Sequence, residues 1–200
     1  MIIDLTRYID ENTKVLPDTP SVRIKQLSTL VQHGYNEQQI TITSHTSTHI
    51  DAPNHMISSG KTLSDYPLDR FIGDAIVINV CGQREIKPDL TAVKRKDIVF
   101  FYTGYDLCCN GETIEKSPVV SEETALYLID KQVPIVGIDS FTPDIYPYPI
   151  HQLLFGHDIC IVEQLTNLDK IPQQRFTCYI LPLKLHNSDG APCRVIAQIP

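Results

Sequence analysis

The sequence predicts a sheet-rich α/β or α+β fold, and three observations carry that expectation. Segments of strand length outnumber helical ones along the chain. Two of them, residues 74–80 and 98–102, are apolar runs rich in β-branched and aromatic side chains, the composition of strands covered on both faces. One helical segment then falls between two such strands, the passage that sets parallel strands side by side.

Taken in order, residues 2–6 read as a short strand and the stretch through Pro17 and Pro20 as loop, because two close prolines remove backbone donors. Alternating polarity at 21–27 and 39–43 predicts a hairpin, with a turn of roughly five residues around Gly34. Gly60 and Pro67 mark loops, and residues 69–72 suit a single helical turn. Ser121 is placed to cap a helix that has Glu122 and Glu123 in its first turn, Ala125, Leu128 and Ile129 on its apolar face, and Pro134 at its end. Residues 135–139 form the next buried strand, and 159–162, 177–183 and 194–199 supply three more. No repeat, low-complexity tract or linker interrupts the pattern, so residues 1–200 are expected to be one domain.

Composition narrows the function. A net charge of −7 without a basic run argues against nucleic acid and anionic membrane as partners. Cys81, Cys108, Cys109, Cys160, Cys178 and Cys193 include no Cys-x-x-Cys pair, so neither a zinc ribbon nor a redox motif is suggested; several lie in apolar runs, where a thiol acts as a small hydrophobe. The start Met1-Ile2-Ile3-Asp4 lacks the features of a signal peptide, and no apolar run nears the roughly 18 residues of a membrane span, so the cytoplasm is the expected location.

Chemistry concentrates in residues 44–55, Ser-His-Thr-Ser-Thr-His-Ile-Asp-Ala-Pro-Asn-His, which hold three of the seven histidines and a carboxylate. His45, His49, Asp51 and His55 offer the nitrogen and oxygen donors that Zn²⁺, Mn²⁺ and Fe²⁺ accept, and a catalytic site uses about three ligands and leaves a position open. In a straight strand His45 and His49 would stand roughly 13 Å apart, too far to share an ion. Thr46, Thr48, Ile50 and Pro53 disfavour a helix, so the end of a strand running into a tight arc is expected. An isolated His-x-x-x-His is as readily a pair of hydrated surface residues; Asp51 and His55 favour the metal. Downstream, His33 and His186 read as ordinary histidines. His151 differs, because twelve residues later Glu163 closes an apolar strand, and a group at the carboxyl edge of a sheet is where α/β proteins place ligands. His157, in a loop after Gly156, is a weaker candidate, and Asp144 beside Pro143 reads first as a turn former, with approach to the cleft as the alternative.

Residues 45–55 resemble the His-x-Gly-Thr-His-x-Asp-x-Pro-x-His signature of the metal-dependent cyclase/hydrolase family, which includes bacterial kynurenine formamidases and isatin hydrolases. Ser47 stands where the signature has glycine. Either its backbone keeps a negative φ or it takes a left-handed conformation at a cost of about 1 kcal/mol. Similarity continues through Asp4-Leu5-Thr6, Thr103-Gly104-Tyr105, residues 136–140, His151, Leu153-Leu154, residues 162–168, Pro182-Leu183-Lys184 and residues 189–194, covering essentially the whole chain. The resemblance implies a three-layer β/β/α fold of the swivelling-domain kind with few helices, and a homodimer or larger assembly. It implies one or two divalent ions, Zn²⁺ foremost with Mn²⁺ or Fe²⁺ as alternatives. His45, His49 and Asp51 would hold one ion, His151 and Glu163 a second, with Asp51 bridging.

The implied activity is hydrolysis of a small-molecule amide by metal-activated water. His55, beyond the ligand triplet, is expected to serve as general acid/base. One form is a kynurenine formamidase-like arylformamidase cleaving an N-formyl arylamine, a step of tryptophan catabolism. Another opens a cyclic imide, lactam or lactone. A third is a non-catalytic metal-binding relative in which Ser47 has spoiled the site. The chain has no tryptophan; Phe71, Phe101, Tyr102, Tyr105, Phe141, Tyr146 and Tyr148 are the aromatic residues available to hold an aryl ring, although such residues more often belong to a core.

Overall fold

Seven strands close on themselves in the computed structural model of the chain, which describes residues 1–16, 18–105, 116–172 and 174–200. With strands numbered along the chain, the circuit runs β12 (Gly190–Gln198), β11 (Arg175–Pro182), β5 (Ile72–Asn79), β7 (Ile98–Tyr102), β9 (Ile135–Ile138), β10 (Cys160–Glu163) and β4 (His49–Asp51), and β4 pairs back with β12. β1 (Ile2–Asp4) adds to the β12 edge beyond the point where β4 leaves it. The run β5-β7-β9-β10 is parallel, and the remaining pairs are antiparallel.

Alternation along the strands makes two cores. On β7, Ile98 and Phe100 join the barrel interior with Cys160, Val162, Cys178 and Val195, whereas Val99 and Phe101 join a second cluster on the outer wall. That outer cluster is covered by Ala125 and Leu128 of α2 (Glu122–Asp130) and by Ile150 and Leu154 of α3 (Pro149–Gly156). Two sheet layers and a helical layer result, the β/β/α arrangement expected. The helix α2 starts as its sequence predicts, with the Ser121 hydroxyl accepting from Thr124 N and two glutamates in the first turn. Cys160, Cys178 and Cys193 are buried free thiols, Cys81 is exposed, and Cys108 and Cys109 lie outside the described residues.

Several elements differ from expectation. β2 (Arg23–Ser28) and β3 (Glu37–Thr41) form the predicted hairpin, but as a separate two-stranded sheet whose connection contains one helical turn, α1 (Leu30–His33), closed by Gly34 at φ 77°. Residues 149–156, for which the sequence suggests no element, are a helix with Pro149 in its first turn; eight residues are too few for a helical period to stand out. The two-residue strands β6 (Glu85–Ile86) and β8 (Val119–Val120) are too short to be seen in sequence. No helix among the described residues is long and apolar enough to cross a membrane.

Candidate metal centre

The centre lies between the outer wall of the barrel and α3. In β4, Ile50 turns into the barrel core, so its neighbours His49 and Asp51 face outward. Register sets Glu163, the last residue of β10, opposite His49. α3 runs above this wall with His151 in its first turn. The strand expected to end before an arc is thus itself split: the bend comes between His45 and His49, and residues 49–51 are extended. Hydrogen bonds and one left-handed residue make that bend. Thr46 Oγ1 accepts from Thr43 N at 3.0 Å, Ser47 takes a left-handed φ of 57°, and the Thr48 hydroxyl donates to the Gln164 carbonyl at 2.7 Å while accepting the Arg7 amide. Ser47 therefore adopts the conformation its place in the signature requires, and its hydroxyl donates to the Tyr8 carbonyl at 3.2 Å.

The five side chains expected to ligate converge. His45, His49 and Asp51 bring donor atoms within 4.8 Å of one another, as do Asp51, His151 and Glu163, so Asp51 belongs to both groups. His45 Nδ1 lies 2.6 Å and His49 Nε2 3.2 Å from Asp51 Oδ1; His49 Nε2 is also 3.4 Å from Glu163 Oε2, and His151 Nε2 is 3.3 Å from Glu163 Oε1.

The chemistry of these donors fits a cation. The Ser47 carbonyl, 2.7 Å from His49 Nδ1, can only accept, so that nitrogen carries a proton and Nε2, turned inward, is the one left to meet an ion. His151 Nδ1 is held likewise by the Asp144 carboxylate, which also accepts from the amides of Ile150 and His151. Asp144 is thus a buried partner of His151, so its approach to the site, the second of the two readings from sequence, is the one the fold realises. His49 Nε2 and Glu163 Oε1 are buried without a hydrogen-bond partner, a costly state for a polar atom and one that a divalent ion relieves.

Electrostatics point the same way. Burial opposes charge on His45, yet Asp51 and Asp189 outweigh it and raise its pKa to about 9. Burial also opposes charge on His151, and its bonds to Asp144 and Glu163 bring it to about 10. Burial would raise Asp51, but His49 and His45 hold it well below the usual carboxylate range. A nest of carboxylates that retains protons on its imidazoles is a site short of positive charge.

The other end of the cluster faces solvent. His55 closes a 3₁₀ turn (Pro53–His55) with its ring centroid 4.0 Å from that of His45, and burial lowers its pKa. Asp189 was not read as a site residue from sequence; its Oδ2 lies 2.8 Å from His45 Nε2 and 3.5 Å from His55 Nδ1. The cues were its place at the head of the family-like stretch 189–194 and the Asp-Gly pair opening a strand. His157 caps the far end of α3 and bonds to the Leu153 carbonyl; His33 and His186 are also outside the cluster. Of the aromatic residues, Phe71 and Phe101 are core, while Tyr148 packs its ring 5.8 Å from that of His151. Phe155, unremarked in sequence, contacts both His151 and His55. A cavity of about 280 Å³ is lined by Arg7, Tyr8, Tyr105 and Phe141 together with Ser47 and Gln164, which are chain neighbours of the clustered residues; none of the clustered residues themselves lines it.

A sheet-rich barrel whose outer wall and covering helix aim imidazoles and carboxylates at one another belongs with proteins that can bind divalent metal. Residues 3–145 match the model of the Cyclase family, described as "Putative cyclase", and the chain belongs to that family. It is 34% identical over 205 residues to the kynurenine formamidase of Geobacillus thermodenitrificans, covering 96% of this chain and 94% of that protein. A solved structure described as a potential metal-dependent hydrolase with cyclase activity superposes with a TM-score of 0.83 at 30% identity, over 100% of this chain and 99% of the other. Isatin hydrolase A from Labrenzia aggregata, bound to benzyl benzoate, gives a TM-score of 0.88 at 26% identity, over 98% and 93%.

Proposed function

We propose that this chain is a metal-dependent amidohydrolase of the kynurenine formamidase type, cleaving an N-formyl arylamine to the amine and formate. The observation that carries the proposal is the convergence of His49 Nε2, Asp51, His151 Nε2 and Glu163 as electron-pair donors with no hydrogen-bond partner for two of their atoms, in a chain similar over nearly its full length to a kynurenine formamidase. His45, His49 and Asp51 would hold one divalent ion and Asp51, His151 and Glu163 a second, with Zn²⁺ foremost and Mn²⁺ or Fe²⁺ compatible with the same donors. Ions so held supply a water acidic enough to react near neutral pH and an electrophile for the amide carbonyl.

The chain's own residues do the rest. His55, kept neutral by burial and less enclosed than the ligands, accepts a proton and returns it to the leaving nitrogen. Were a single ion bound, Glu163 would be free to act as a base. Asp144 and the Ser47 carbonyl keep His151 and His49 in the tautomer that presents Nε2. Tyr105 and Phe141, in edge contact at 6.0 Å, offer a wall for an aryl ring in the cavity they line. Such a reaction fits a cytoplasmic role in tryptophan catabolism, and the exposed apolar tip of the β2–β3 hairpin, with Leu30 63% and Val31 97% exposed, supports assembly as a homodimer or larger.

The likeness to isatin hydrolase A favours a second reading, opening of a cyclic amide. Offering the metal-loaded chain an N-formyl arylamine and a cyclic amide separates the two: formate is expected from the first. Ring-opened acid without formate would replace the arylformamidase reading with the ring-opening one, and neither product would remove both.

A further inference from the structure

Every imidazole proposed as a ligand has its outward nitrogen held by an acceptor. For His49 it is the Ser47 carbonyl and for His151 the Asp144 carboxylate. For His45 it is Asp189, which comes from the far end of the sequence, 144 residues away, and meets Nε2 at 2.8 Å while Nδ1 faces Asp51. The approach depends on Gly190. A Cβ there would stand 2.7 Å from His45 Cε1 and 3.0 Å from the Ile50 carbonyl, so only a glycine lets the ring lie against the start of β12 with its nitrogens directed at the two aspartates. Asp189 is itself fixed, since its carbonyl accepts the Ala52 amide at 2.8 Å and Gly190 pairs with Asp51 across β4.

The same carboxylate oxygen also lies 3.5 Å from His55 Nδ1. We propose that Asp189 is a positioning residue that acts on two histidines at once, orienting His45 as a ligand and holding His55 by Nδ1 so that its Nε2 is directed to the reacting groups. The His55 half rests on the hydrolase reading above; the His45 half does not. A carboxylate behind a ligating histidine typically sustains 10- to 100-fold in metal affinity. A carboxylate on the back nitrogen of an acid/base histidine fixes its tautomer and steadies it when charged.

The test uses the full-length chain, stripped of metal and titrated with Zn²⁺ against a chromogenic chelator, and then assayed on an N-formyl arylamine at saturating Zn²⁺. Asp189→Asn is expected to weaken one Zn²⁺ by about 10- to 100-fold and, with metal saturated, to lower kcat more than about tenfold while KM moves little. Gly190→Ala, which pushes the His45 ring off the carboxylate from the other side, is expected to reproduce the loss of affinity. Asp144→Asn is the contrast, its deficit recovered by added Zn²⁺ because Asp144 does not reach His55. Unchanged Zn²⁺ affinity in both Asp189→Asn and Gly190→Ala overturns the role toward His45. Full kcat of Asp189→Asn at saturating Zn²⁺ overturns the role toward His55. A wild-type chain that binds Zn²⁺ and hydrolyses nothing removes the hydrolase reading together with the His55 half, and leaves the affinity measurement to decide the rest.

Discussion

The inner and outer ends of the site use the same residue types under different exposure. Inside, His151 and Glu163 are 2% and 8% exposed, held by the helix that starts at Pro149 and by the last residue of β10. Outside, His55 and Asp189 are 29% and 39% exposed and stand on a 3₁₀ turn and the residue before a strand. Buried donors with fixed tautomers make a deep, rigid well for positive charge, where losing one partner strands the other. The outer pair meets water, so protons and substrate can come and go. On the proposed function, ion binding falls to the inner end and proton movement to the outer, and Asp51 and His45 join them.

Asp51→Asn should break both ends, because Asp51 is common to the two ligand groups. We expect loss of bound metal and a fall in activity of about a thousandfold or more, read by elemental analysis and formate release. His55→Gln tests the division of labour. It should lower kcat by about 10²- to 10⁴-fold while metal content stays at the wild-type level; loss of metal in this variant would show that the outer end also binds.

A pH experiment sharpens the contrast. In the metal-free chain His45 and His151 have pKa values raised from 6.5 to about 9 and about 10. A raised folded pKa stabilises fully below the unfolded value and is lost as pH climbs through the folded one. The melting temperature of the metal-free chain should therefore fall between about pH 7 and pH 10, and that of the loaded chain should fall less over the same interval. Binding near neutral pH should also release protons, which calorimetry in buffers of different ionisation enthalpy detects.

The smallest effect is expected at Ser47. Glycine would relieve the left-handed backbone but lose the bond to Tyr8 and gain freedom in the unfolded chain, so Ser47→Gly should change stability by less than about 1 kcal/mol and activity by less than about threefold. A large gain in activity would instead favour a wild-type chain whose site is spoiled.

How much could be read from sequence also divides along this line. His45, His49, Asp51 and His55 lie within eleven residues, so spacing alone exposed them, and Glu163 was visible as a charge ending an apolar strand. Asp189 was not, since it gains its meaning from a histidine 144 residues away that only the fold brings near, and Asp144 shows in sequence first as a turn former beside Pro143. The central strands were legible because burial on both sides writes continuous apolar runs, as at Ile98–Tyr102. α3 was not, because its eight residues spend one face on the barrel and give its first turn to the site.

The convergence of both groups on Asp51 is tested most directly by anomalous diffraction from crystals of the chain grown with Zn²⁺. The expected map has density at Asp51 within about 2.0–2.2 Å of His49 Nε2 and of an Asp51 carboxylate oxygen, with a second peak toward His151 and Glu163. A map with no peak at Asp51 while zinc sits elsewhere on the chain would contradict it.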